Sequence, residues 1–222
     1  MLWRTRAVIA AGLGLTWASP AHACGLWFNS TYLMVPASPT VSLGLQNIDN
    51  YMMISADAAF KLGEKIVLRP AVGTCRYTGD GGGSDMVFGA AAGMQVWKDA
   101  AGKVTANVQV GAEMLSYDGG SERNIPIGAA VAFKTSETLN LFGGASMNLY
   151  NVSFDLPTGG EVSESSTDPS LFAGAAFRTG KMQLTGGITM YMGDESEMAI
   201  NLGAGMALGT ASSAIKSLLR LK

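Results

Sequence analysis

Along most of this chain hydrophobic and polar positions alternate with a period of two. From Val104 to Met114 the even positions read Val104, Ala106, Val108, Val110, Ala112 and Met114, and the odd ones between them Thr105, Asn107, Gln109, Gly111 and Glu113. That is a β-strand with one apolar and one polar face. The stretch before it puts Met86, Phe88, Ala90, Ala92, Met94 and Val96 on one side and Val87, Gly89, Ala91, Gly93 and Gln95 on the other, with a tight turn over 99–102 joining the two. The same rule predicts strands over 41–48, 51–62, 66–77, 86–97, 103–116, 124–134, 138–152, 170–179, 181–192 and 197–208, and no helical period before the C-terminal tail.

The bulk lies on the face that alternation leaves uncharged. Ile125, Ile127, Ala129, Val131 and Phe133 form one such row, Met182, Leu184, Ile188, Met190 and Met192 another, and Met198, Ile200, Leu202, Ala204, Met206 and Leu208 a third. A charge on a lipid-facing row costs about 2–4 kcal/mol near the bilayer midplane, so rows without one fit a surface that meets lipid. The opposite rows carry Asp57, Arg69, Gln95, Asn107, Gln109, Glu113, Asn148 and Asn201, spaced by Gly and Ala. Connections alternate in character: 63–65, 99–102, 135–137 and 179–180 are short, while 78–85, 118–123 and 151–169 are longer and rich in Gly and acidic residues. The expectation is all-β: an up-and-down antiparallel transmembrane β-barrel of ten strands, or eight if 41–48 or a weak neighbour is irregular.

Within a narrow lumen, opposite charges must find partners, so Asp57 and Glu113 are expected to meet Arg69 or Arg178 in a hydrogen-bonded network that closes the barrel. A small aqueous pore lined by the same residues is the alternative. Phe60, Trp97, Phe133 and Phe177 fall at one set of strand ends as an interfacial belt would. Tyr77, Tyr117, Tyr150 and Tyr191 fall at the other set with lumen parity, where they line the outer mouth unless a bulge shifts them.

The ends add a compartment. Arg4 and Arg6, an apolar run from Ala7 to Trp17 and the sequence Ala21-His22-Ala23 read as a secretory signal over 1–23. Its removal takes away two bases and the sole histidine, moving the net charge from −2 to −4 and leaving no electrostatic case for nucleic acid. Residues 24–40 then form an N-terminal arm, too apolar for a linker and interrupted by Pro36 and Pro39, that is a short strand, a plug or an arm across a barrel end. The barrel spans 41–209 and a basic tail 210–222. Cys24 and Cys75 are the two cysteines; they pair in a disulfide, or Cys24 carries lipid and leaves Cys75 alone.

Asn201, Gly203, Met206 and Leu208 fall on the pattern polar, any, Gly, any, any, apolar, any, apolar of a final-strand assembly signal, although fourteen residues follow Leu208. With these residues the chain resembles the small bacterial outer-membrane β-barrel proteins over about 41–208. The resemblance implies cell outer-membrane localisation, contact with outer-membrane lipid and handling by the outer-membrane assembly machinery. Enzymes of that family use a histidine near the rim, and residues 24–222 contain none; no metal-ligand spacing or phosphate loop appears either, and Asp80 and Asp85 in a Gly-rich turn are a poor calcium site. No enzymatic activity and no cofactor are expected. The reading is a structural or interaction barrel, binding other envelope proteins through loop 151–169 or the N-terminal arm. A small porin for ions or solutes, or a soluble all-β binding protein, are the alternatives.

Overall fold

Each alternating segment forms a strand in the computed structural model, which describes residues 39–78, 83–117, 119–155, 160–193 and 196–208. The strands are β1 (Thr40–Ile48), β2 (Tyr51–Leu62), β3 (Ile66–Tyr77), β4 (Ser84–Lys98), β5 (Val104–Tyr117), β6 (Gly120–Lys134), β7 (Leu139–Asp155), β8 (Glu161–Thr179), β9 (Met182–Met192) and β10 (Ser196–Ala207). Every strand pairs antiparallel with its sequence neighbours, and β1 pairs with β10 over Thr40↔Ala207 to Ile48↔Ala199, so the sheet closes on itself with ten strands. Closure through β1 excludes the eight-strand alternative. No edge strand remains among the ten, which removes the usual site of strand-to-strand aggregation.

The two rims differ in their turns. At the near rim, where Thr40 and Ala207 lie, connections 63–65, 99–103, 135–138 and 180–181 are tight; Gly180 takes φ 57°, as a two-residue hairpin between twisted strands requires. At the far rim the β1–β2 turn is equally tight, with Asp49 at φ 44°. The longer far-rim loops expected from sequence contract: β6 starts at Gly120, β7 runs to Asp155 and β8 begins at Glu161. Their Ser, Thr and Glu content marked these segments as loops, but strands that extend past an apolar belt need no apolar face and alternate only in polarity. The β7–β8 pair is therefore a ladder from Leu139↔Phe177 out to Asp155↔Glu161, accompanied by β6 as far as Gly120↔Phe154 and reaching well past the end of the β8–β9 pairing at Ser170↔Tyr191.

The large apolar side chains point outward. Leu43, Ile54, Phe88, Val110, Ile127, Leu171, Ile188 and Leu202 are all exposed on the exterior, and Phe60, Trp97, Phe133 and Phe177 are exposed around the near rim. Trp97 has the sequence parity of the lumen. A bulge between Gln95 and Trp97 changes the register, so that Gln95 faces Asn107 while Trp97 faces the outward Ala106. Towards the far rim the exterior rows end in polar residues: Arg76 on β3 and Arg123 on β6, both exposed.

Inward positions are small, polar or buried apolar. On β7 and β8, phenylalanine and glycine face each other reciprocally, Phe142↔Gly174 and Gly144↔Phe172. A Cβ at Gly174 would collide with the Phe142 ring and the Gly186 carbonyl oxygen, and one at Gly144 with the Phe172 ring and the Ala129 carbonyl oxygen. Each ring thus lies over the glycine of the neighbouring strand, a cross-strand pairing that recovers the burial glycine lacks.

Candidate functional site

The candidate site is the barrel interior together with its far mouth, because alternation delivers almost every buried polar side chain there. Near the Thr40 end, Asp57 on β2 lies beside Ser42 on β1, and its Oδ1 is 3.9 Å from Nη1 of Arg69 on β3. The two side chains are 1% and 3% exposed. An ion pair so dry keeps its geometry because removal of either partner would strand the other charge.

Farther along the wall, Glu113 Oε2 accepts from Asn124 Nδ2 at 3.3 Å, both buried. On the other side Ser146 and Ser170 hydroxyls meet at 2.6 Å, and Asn148 Nδ2 donates to Ser170 Oγ at 3.4 Å and to the Asp168 carbonyl at 3.1 Å. Asn201 Nδ2 donates to Thr189 Oγ1 at 3.0 Å, and Gln46 Nε2 to the Tyr191 hydroxyl at 3.2 Å across the β1–β10–β9 seam. Asn107 is buried, whereas Gln95 and Gln109 are half-buried on the inner wall.

Arg178 departs from the expected network. It shares the inward parity of Ala176 but lies at the end of β8 beside the Gly180 turn, exposed, where its Nη2 donates to Gln183 Oε1 at 3.2 Å. Parity gives the side of the wall and not the depth in the lumen, which is why sequence placed Arg178 with Asp57 and Glu113. Sequence also passed over Gln46, Glu122, Asn124, Ser146, Ser170 and Thr189, all buried on the inner face. The signal was available for both Glu122 and Asn124: Asn124 opens the strand expected over 124–134, and Glu122 continues its inward parity back into the segment 118–123 read as loop.

The four tyrosines all face inward without a bulge. Tyr150 and Tyr191 are buried, while Tyr77 and Tyr117 are half-buried nearer the far rim, where the Tyr77 ring lies 5.1 Å from Tyr51 and Tyr117 lies 6.3 Å from Phe154. Around them the lumen is not simply polar: Ile48, Met53, Cys75, Val87, Leu115 and Tyr191 belong to an apolar cluster inside the barrel, and Tyr117 packs against it. Cys75 is part of it and is disulfide-bonded. Cys24, the export signal over 1–23, residues 24–38 of the arm expected over 24–40 and the tail over 210–222 lie outside the described residues, as does Asp80, while Thr40 at the end of that arm already belongs to β1. Asp85 is the second residue of β4, and no group of three or more metal-ligating side chains occurs among the described residues. Of the final-strand signal residues, Asn201 and Gly203 have inward parity, while Met206 and Leu208 are exposed on the exterior.

No protein-family model matches this chain, and no curated protein does. Among solved structures, it is similar to the N-terminal β-barrel domain of Pseudomonas aeruginosa OprF, at 13% identity and TM-score 0.39, covering 76% of this chain and 96% of that one. It is also similar to Neisserial surface protein A, at 10% identity and TM-score 0.38 over 77% and 95% of the two chains. LpxR from Salmonella typhimurium matches at 8% identity and TM-score 0.49 over 79% and 86%. The architecture itself is established by this chain's own pairing and closure.

Proposed function

We propose that this protein is an outer-membrane β-barrel of a Gram-negative type envelope, with a closed lumen and a structural or interaction role. The observation that carries this reading is the exterior. Rows such as Ile54, Phe88, Val110, Ile127, Ile188 and Leu202 are exposed around the whole wall, bounded by aromatic side chains at one rim and by Arg76 and Arg123 towards the other. In water this belt would be an apolar surface far beyond the few hundred Å² a soluble monomer exposes. In a bilayer it is the required surface, and barrel closure satisfies every strand's hydrogen bonds without water.

The interior supports closure over conduction. Asn148, Ser170 and Thr189 are each 0% exposed, and the inward apolar cluster around Cys75 would not line an aqueous path. The projecting ends of β7 and β8 carry Asp155, Glu161 and Glu164 and offer the surface for an envelope partner, at the place where sequence put the long loop 151–169. The proposed role is not enzymatic, since residues 24–222 contain no histidine to complete a rim hydrolase. The test is conductance of the purified full-length protein in planar bilayers. Current indistinguishable from lipid alone is expected, and steady open-channel steps, altered by Glu113→Gln or Arg69→Met, would replace this reading with the porin one.

A further inference from the structure

The exterior belt is not evenly furnished. Across β2 to β5 one row of outward positions is low, holding Ala58, Pro70, Ala90 and Ala112, with Pro70 facing Ala90 and Ala90 facing Ala112. Phe60, Leu68 and Val110 stand on its near-rim side and Val72, Phe88 and Met114 on its far-rim side, all exposed. Low side chains between two tall rows make a groove, about 14 Å long from β2 to β5 at the spacing of paired strands. The row continues from Ala58 to Val41 on β1 and Met206 on β10, where it opens into a recess of about 610 Å³ lined by Val41, Ala58, Pro70, Met182, Ala204 and Met206. Pro70 is a costly residue in a wall strand. It has no amide to give, and the β2–β3 pairing skips Ala58 and Ala59 beside Pro70 and Arg69.

The groove also changes depth. Met206 and Val41, at its start, are one residue from the near-rim ends of β10 and β1. Ala58 and Pro70 are four residues from those of β2 and β3, and Ala90 and Ala112 eight from those of β4 and β5. The stagger of a closed barrel thus carries one cross-strand row from the rim to the middle of the belt. That is the course of an acyl chain, which starts at a headgroup and descends into the bilayer. Exposed lysines stand at the rim end: Lys181 directly before Met182, and Lys61 and Lys65 where β2 turns into β3, with Glu64 beside them. Strands β10 and β1 run between the two sets, so the lysines flank the recess from both sides. Lysine stems lie along apolar surface and keep their ammonium groups at the interface, the level of a lipid phosphate.

We propose that this groove seats an acyl chain of one anionic phospholipid, whose phosphate is held at the near rim by Lys181, Lys61 and Lys65. The proposal rests on the lipid-facing reading of the exterior and adds to it a lipid class and a place. A second copy of the barrel fits the same surface less well. A two-fold contact through the groove would set these lysines against their own counterparts and leave two concave surfaces facing each other.

The experiment uses the full-length protein extracted from membranes in mild detergent and mixed with equal amounts of phosphatidylglycerol and phosphatidylcholine of matched chains. Native mass spectrometry reads the bound lipid. One phosphatidylglycerol per barrel should survive, in preference to phosphatidylcholine. Lys61→Gln, Lys65→Gln and Lys181→Gln should each lower its affinity about fivefold, as for basic residues at an anionic lipid surface. Ala58→Phe, which fills the groove floor, should abolish retention, whereas Ala129→Phe on the exposed outer face of β6 should leave it unchanged. Equal retention of the two lipids, or retention indifferent to Ala58→Phe, overturns the proposal. So does a dimer that Ala58→Phe dissociates, which makes a second copy the occupant. A barrel that keeps its heat-dependent gel shift but holds no lipid overturns this site alone; recovery of the chain as a soluble protein overturns the lipid-facing reading with it.

Discussion

At the scale of single residues, the facing pairs Phe142↔Gly174 and Gly144↔Phe172 show how this interior is filled without large inward side chains at every level. Gly174→Ala would drive a methyl into the Phe142 ring and the Gly186 carbonyl oxygen. The expected cost is about 1–3 kcal/mol in urea unfolding from lipid vesicles, as for other overpacked sites. Gly83→Ala, with open space around its Cβ, should change stability by no more than about 0.5 kcal/mol. On the exterior, Ile127→Arg places a charge in the middle of the belt and should cost about 2–4 kcal/mol in the same assay. Inside, Arg69→Met should cost about 3–5 kcal/mol because it leaves Asp57 buried and charged, and adding Asp57→Asn should return most of that loss. Which residues face inward was legible in the sequence for Asp57, Arg69, Asn107, Glu113 and Asn201, because parity is a local property. Which of them meet was not, because depth in the lumen depends on strand register and barrel shear. Arg178 has the right parity and ends at the rim with Gln183.

At the scale of elements, all ten strands were legible and their polar ends were not. Alternation of apolar with polar residues reports a strand that has one surface to hide; β7 past Val152 and β8 before Ser170 have little to hide and read as loop. Replacing residues 153–163 by a two-residue Asn-Gly turn should leave the barrel's thermal stability unchanged within about 1 kcal/mol, since the removed ladder lies beyond the belt. Heat-dependent gel migration checks this outcome. The bulge at Gln95 and Trp97 is a second feature that period two hides, because one extra residue reverses the parity of the rest of the strand. Deleting Val96 should remove the bulge and set Trp97 directly after the inward Gln95, still outward and opposite Ala106, so quenching of its fluorescence by brominated lipid should persist; loss of that quenching would contradict the bulge.

At the scale of the whole molecule, the sequence contained the inversion that distinguishes this barrel from a soluble one: bulk outside, small and polar groups inside. It did not reveal the apolar cluster of Ile48, Met53, Val87 and Leu115 within the lumen, since each residue alone reads as an exception to its strand's polar row. Together these residues surround the disulfide-bonded Cys75 and make the far half of the interior a packed core. Closure of β1 onto β10 makes the wall one cooperative unit, so unfolding in lipid should be a single transition. The central claim is that the exposed rows meet lipid. Membrane fractionation, followed by gel migration of the detergent-extracted protein unheated and boiled, tests it most directly. Recovery in the outer-membrane fraction with a faster-migrating unheated band is the predicted result. Recovery as a soluble protein with identical migration in both lanes would contradict it and would require another surface to cover the belt.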